Sequence, residues 1–183
     1  MRLFTALDLP AHVVARLEEQ LGRLRPTARI NWSPPANLHI TAKFIGEWPE
    51  ARLQELKSAM APLPPAEPIP VHIHNLGFFP NARSPRVFWC GIDAPGLAEL
   101  AGELDRVCGE LGIARETRAF SPHLTLARIK DRLNLDALHR AITALPSTDF
   151  GEFHAASFFL YQSELRRGGS VYTKLAEFPP ASE

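Results

Sequence analysis

Two short stretches of this chain place the same polar pair on an aliphatic background, and the distance between them limits the folds open to it. NLHITAKFIG carries His39 and Thr41, and SPHLTLARI carries His123 and Thr125. The two histidines stand 84 positions apart, and so do Arg2 and Arg86, Phe4 and Phe88, and Leu76 and Leu160. The hydrophobic pattern repeats with them. RLFTALD and RVFWCGID read as strands, and a helical stretch follows each. The first, Ala11 to Leu24, has Val14, Leu17, Leu21 and Leu24 at helical period. The second, Pro95 to Leu111, has Leu97, Leu100, Leu104, Val107, Cys108 and Leu111 on one face, with Gly112 as a stop. EWPEARLQELKSAMAPL and DRLNLDALHRAITALP are amphipathic helix patterns ending at proline, and PIPVHIHNLGFF and GEFHAASFFLYQS are strand-like.

Each half therefore reads strand, helix, strand with His-x-Thr, helix, strand. The fold expected is α+β, bilobal and duplicated, with two antiparallel β-sheets facing across a central cleft and helices packed on the outside. A pseudo-twofold axis would relate the lobes. Residues 1–183 are expected to form a single domain of two pseudo-symmetric lobes, because no flexible linker separates the halves. The prolines at Pro34–Pro35, from Pro62 to Pro70, and at Pro179–Pro180 punctuate elements and mark loops.

On a β-strand, residues i and i+2 share a face. His39 and Thr41 would project together, as would His123 and Thr125, while Ile40, Ala42, Leu124 and Leu126 face the other way. Two such strands across a cleft bring two imidazoles and two hydroxyls into one small volume. Imidazole exchanges protons near neutral pH. Two of them on opposite sides of a phosphorus atom can serve as base and acid in an in-line displacement, and hydroxyls can donate to the non-bridging oxygens. This chemistry calls for no metal and no cofactor.

Charge and composition narrow the partners. Lys and Arg number 20, Asp and Glu 20, so the formal charge is zero. A protein that tracks long nucleic acid usually shows a basic excess, so zero charge argues against a broad polyanion footprint and leaves room for a local basic pocket for one phosphate. No apolar run approaches the roughly 18 residues of a membrane span. Cys90 and Cys108 lie in apolar surroundings without metal-ligand or CxxC spacing, which reads as buried structural thiols. With no export signal in MRLFTALDLP and no disulfide framework, a cytoplasmic location is expected; a monomer is also expected, since no protein partner is evident in the sequence.

The stretches RLFTALDLP, NWSPPANLHITAKFIGEW, GFFPNARSPRVFWCGI, FSPHLTLARI and FFLYQSELRRGGSVYTKLAEFP resemble the 2H phosphoesterase superfamily, closest to its RNA 2′,3′-cyclic phosphodiesterase (2′-5′ RNA ligase) branch. The resemblance implies that His39 donates a proton to the leaving ribose oxygen and that His123 is the base that activates water. It implies that Thr41 and Thr125 hold phosphate oxygens, and it places the family's arginine, five residues past the second histidine, at Arg128 as a substrate-binding residue. The implied reaction is metal-independent hydrolysis of an RNA 2′,3′-cyclic phosphate end to a 2′-phosphomonoester, with 2′-5′ ligation as the reverse direction. Simple alternation conflicts with the family on Arg128, whose parity is opposite to that of His123; a bulge would reconcile them. Ala42 stands where the family commonly has a bulkier aliphatic residue, a change in packing behind the strand.

Lys43 shares parity with His39 and could line the cleft and touch substrate, or be a solvated strand-end lysine. Phe120 could stack on a terminal base, or have a core or hinge role. His72 and His74 form a His-x-His pair with no third ligand nearby, read as solvent-facing. Arg166 and Arg167 look like an exposed turn within reach of RNA phosphates, and His12, His139 and His154 have no chemistry assigned. Two other functions compete: a 2H enzyme acting on a small cyclic nucleotide such as a cyclic phosphodiester of ADP-ribose, and a non-catalytic module that binds RNA ends. The two-histidine mechanism predicts a bell-shaped pH–rate profile that persists in excess chelator, and loss of activity in His39→Ala and in His123→Ala. Full turnover by either variant, or an absolute need for a divalent ion, would rule it out.

Overall fold

A computed structural model describes residues 1–180. Nine strands and four α-helices alternate along them in the order β1 (Arg2–Asp8), α1 (Ala11–Leu24), β2 (Asn31–Trp32), β3 (His39–Glu47), α2 (Leu53–Met60), β4 (Ile69–Phe79), β5 (Val87–Asp93), α3 (Leu97–Glu110), β6 (His123–Arg128), α4 (Asp136–Thr143), β7 (Asp149–Ala155), β8 (Phe158–Arg166) and β9 (Gly169–Phe178). The α+β class and the antiparallel pairing are as the sequence implies. The two expected sheets are continuous with one another. Strand order is β7-β4-β5-β6-β3-β1-β8-β9, with β2 added beside β6. The halves β7-β4-β5-β6 and β3-β1-β8-β9 join through a single residue pair, Ile40 opposite Leu124, so the sheet curls about that point.

The strands exchange between sequence halves. β4 ends the first half yet pairs with β5, its neighbour in the chain, through a short connection. β8 ends the second half and returns to pair with β1. The helices exchange too, since α1 packs on β7 and α4, and α3 packs on β3 and α2. Each helix is held by an apolar stripe: Val13, Leu17, Leu21 and Leu24 in α1, and Leu97, Leu100, Leu104 and Cys108 in α3, all buried. Val13 takes the place expected for Val14, which turns instead toward a cavity beside His39. Both cysteines are buried free thiols.

The repeat is not in register everywhere. β1 sets Phe4 opposite Phe44 and β5 sets Val87 opposite Arg128, so the structural counterpart of Phe4 is Val87, not Phe88. Phe88 is fully buried and stacks on Phe78, whereas Phe4 lies against His39. The matched letters at Phe4/Phe88 thus sit one residue out of step, although the central strands keep the 84-residue spacing.

One close approach bears on the centre. Gly91 pairs with His123 on one side and His74 on the other. Asn75, at φ 66°, is the extra residue of a bulge in β4 next to that pair. A methyl group at Gly91 would stand 2.6 Å from the His74 carbonyl oxygen, which belongs to backbone and cannot swing aside. Gly91→Ala is therefore expected to cost about 1–3 kcal/mol, read as a lower urea midpoint at unchanged m-value. An unchanged midpoint would mean that β4 and β5 have slack at this position.

Candidate active site

The site is built on β3 and β6, and an extra residue in each aims its side chains. Opposite β1, Thr5 pairs with Lys43 and Ala6 with Thr41, leaving Ala42 unpaired. Opposite β5, Phe88 pairs with Ala127 and Trp89 with Thr125, leaving Leu126 unpaired. A bulge reverses the alternation beyond it. In β3, Ala42 and Lys43 are both buried and Phe44 turns out, 61% exposed. In β6, Leu126 and Ala127 are both buried and Arg128 turns out. The conflict over Arg128 is thereby resolved: it shares a face with His123 and Thr125, and its charge acts on His39.

The same device overturns the expectation for Lys43. Its side chain points to the helical side, is only 7% exposed, and pairs with Asp105 of α3 at 2.7 Å. It does not line the cleft. Phe120 is half-buried against the core, the second of the two roles considered for it. His72 and His74 stack on one another at 4.2 Å, and His72 Nε2 lies 3.1 Å from Asp149 Oδ2. Arg166 and Arg167 are exposed at the β8–β9 turn. Among the described residues no three His, Cys, Asp or Glu side chains are arranged to hold a metal ion.

Each candidate histidine is held by the carbonyl two residues before it. His39 Nδ1 lies 2.6 Å from the Asn37 oxygen, and His123 Nδ1 2.9 Å from the Ser121 oxygen. A carbonyl only accepts, so each Nδ1 carries the hydrogen and each Nε2 is left for chemistry. His39 Nε2 meets Thr41 Oγ1 at 3.0 Å. Beyond these bonds the two surroundings differ. The His39 ring is packed between Phe4, 4.8 Å away, and the edge of Tyr172, 5.2 Å away. His123 has the edge of Phe79 at 5.1 Å.

The enclosure of His39 has an electrostatic consequence. Burial lowers its pKa below 6.5; the bond to Asn37 and the charge of Asp8 oppose this, and the charges of Arg128 and His123 add to it. His39 is thus more acidic folded than unfolded. Stability is held above about 6.5 and lost as pH falls from there through the folded value. Asp8 pairs with His39 across the strands, accepts from the Tyr161 hydroxyl, and accepts from Lys174 at 2.7 Å. Burial, then the bond to Asp8 and its charge, push the Tyr161 phenol up. A cavity of about 250 Å³ lies here, lined by Phe4, Asp8, Asn37, His39, Tyr161 and Tyr172 among others. A larger one, about 600 Å³, lies between α1 and β7 and includes neither motif histidine.

Sequence reasoning missed Phe4, Tyr172, Asp8 and Phe44. Phe44 carried a signal, being 84 residues before Arg128, but its aim depends on the bulge. Tyr172 comes from β9 and had no local signal at all.

A curled antiparallel sheet that sets two His-x-Thr strands side by side at its centre defines a 2H phosphoesterase. The sequence matches the family described as LigT like Phosphoesterase over residues 7–89 and 92–172, and the chain belongs to that family. An RNA 2′,3′-cyclic phosphodiesterase of Methanocaldococcus jannaschii is 35% identical over 97% of this chain and 100% of its own. Among solved structures, TT0787 of Thermus thermophilus superposes with a TM-score of 0.82 at 34% identity, covering 97% of both chains. E. coli LigT complexed with NADP+ gives 0.75 at 29% identity, over 97% of this chain and 95% of that one.

Arg128→Ala removes one of the charges that depress His39, so the His39 ring should titrate at higher pH in that variant, measured by NMR. A midpoint equal to the wild type would mean that Arg128 does not face the cleft.

Proposed function

We propose that this protein hydrolyses the 2′,3′-cyclic phosphate at the end of an RNA strand to a 2′-phosphomonoester, by metal-independent acid–base catalysis between His39 and His123. The observation that carries this reading is the pair of matched bulges, which gathers His39, Thr41, His123, Thr125 and Arg128 on one face. The curated relative from Methanocaldococcus jannaschii supports it by name. The described chain would act as one unit, its two pseudo-symmetric lobes each supplying one histidine. Its free buried thiols suit a reducing, cytoplasmic setting.

In the proposed reaction, His123 Nε2 takes a proton from water as the water oxygen bonds to phosphorus. The bond from phosphorus to the ribose 3′-oxygen breaks, and His39 Nε2 gives that oxygen its proton. Thr41 and Thr125 donate to the non-bridging oxygens, and Arg128 balances their charge. Burial, with the charges of Arg128 and His123, holds His39 toward its neutral form. A bound phosphodiester brings a negative charge toward the imidazole and offsets Arg128, which restores the acid. With a 5′-hydroxyl in place of water the same steps make a 2′-5′ bond, but water is far more abundant.

Phe44 supports a nucleotide substrate. It is a largely exposed aromatic ring on the cleft face, 6.2 Å from the Phe4 ring. A base stacked on such a ring gains about 1–3 kcal/mol. A small cyclic nucleotide is the second reading, favoured by the NADP+ held by the E. coli relative and by the neutral charge of this chain.

The test is turnover, with chelator present, of an RNA oligonucleotide and a mononucleotide that each end in a 2′,3′-cyclic phosphate, with the product isomer identified. The expected product is the 2′-phosphate, with RNA the better substrate in kcat/KM, and with KM raised roughly 5- to 100-fold in Phe44→Ala. Turnover of the mononucleotide alone would favour the second reading. Tight binding without turnover of either would make the protein an end-binding module.

A further inference from the structure

We propose that Lys43 and Asp105 are positioning residues for His123: their buried ion pair seats the segment that presents the Ser121 carbonyl to the His123 ring. The proposal deepens the two-histidine reading above and rests on it. Residues 111–122 form neither helix nor strand, yet they run directly into β6 and carry Ser121 at their end. A segment of this length without regular structure needs its own attachments if a histidine beyond it is to be held still.

Those attachments converge on one carboxylate. Asp105 Oδ1 accepts from Lys43 Nζ at 2.7 Å and from the Glu116 backbone N–H at 2.9 Å. Asp105 Oδ2 accepts from Arg115 Nε at 2.8 Å. Lys43 Nζ also donates to the Ala114 carbonyl at 3.1 Å. Three successive residues of the segment, 114 to 116, are thus tied to β3 and α3 together. Glu116 continues the order by accepting from the N–H groups of Thr117 and Arg118. Burial alone would raise the Asp105 carboxyl, but the bonds from Lys43, Glu116 and Arg115 outweigh it and hold it at about 2. The carboxylate therefore stays charged at any pH at which the enzyme would work.

The asymmetry between the motifs points the same way. His39 Nδ1 donates to the Asn37 carbonyl; Asn37 sits in a short 3₁₀ turn and is itself pinned by its Nδ2 donating to the Ser170 carbonyl at 2.8 Å. Ser121 has no such turn. The position matching Lys43 in the second strand is Ala127, buried and uncharged. The ion pair therefore occurs behind β3, against the helix that precedes the irregular segment. Removing the Asp105 charge leaves the Lys43 ammonium buried with only the Ala114 carbonyl. Removing Lys43 leaves Asp105 tied to Arg115 and Glu116 but cuts the segment from β3, so in either case the segment shifts.

The experiment compares Lys43→Met, Lys43→Arg and Asp105→Asn with the wild type, by steady-state kinetics on a 2′,3′-cyclic-phosphate oligonucleotide and by side-chain NMR of the histidines. Lys43→Met should lower kcat roughly 10- to 100-fold with little change in KM, and His123 should lose its single Nδ1–H tautomer while His39 keeps its own. Lys43→Arg, which preserves the charge, should recover most of the activity and the His123 signal. If Lys43→Met does not fold, Asp105→Asn retains the shape and one acceptor and should show the same split. A lowered melting temperature with wild-type kcat and an unchanged His123 spectrum would overturn the proposal and leave the pair a stabilising contact only. If the wild type turns over no cyclic phosphate, the functional reading fails, while the His123 spectra still decide the positioning role.

Discussion

One unpaired residue in each central strand decides where the reactive groups of this protein point. Ala42 in β3 and Leu126 in β6 each interrupt the alternation of a β-strand, and they do so at matching places. Before the bulge, His and Thr project from the strand together. After it, two consecutive buried residues fill the core, and the next side chain, Phe44 or Arg128, emerges on the same face as the histidine. Regular strands of the same sequence would bury Arg128 against the helices at a large desolvation cost and bring Lys43 into the cleft. The bulges set an aromatic ring and a guanidinium there instead, and the two halves of the site become chemically unequal at that point.

The inequality extends to the histidines. Both have Nδ1 fixed by a carbonyl two residues upstream, so both offer Nε2. His39 is wedged between Phe4 and Tyr172 and is held toward its neutral form, while His123 is delivered by an irregular segment whose order depends on Asp105. Under the proposed mechanism, a scaffold that repeats its motif can therefore carry a donor and an acceptor without any difference in the motif letters. The environment separates the two roles, as it does for paired acids and bases in general.

Much of this could be read from the residues. The His-x-Thr spacing placed each imidazole beside a hydroxyl, the helical stripes located α1 and α3, and the 84-residue spacing fixed the equivalence of β3 and β6. Other inferences failed for physical reasons. Phe4 and Phe88 match as letters but slip by one in register, because strand pairing follows burial and hydrogen bonding, and Phe88 is needed in the core. Parity on an unbroken strand would put Lys43 in the cleft, and a single alanine carries no mark of the bulge that turns it to Asp105.

The sequence by itself determined which groups can do chemistry and that they come in two copies, because local spacing controls which side chains share a strand face. It determined the helices and their buried stripes for the same reason. Tertiary structure alone decided that β4 and β8 cross to the opposite halves, that Tyr172 from β9 closes over His39, and that Lys43 meets Asp105 behind the sheet. Those outcomes depend on contacts between residues far apart in the chain, where the cost of burying a charge or an aromatic ring is settled by partners that no local pattern names.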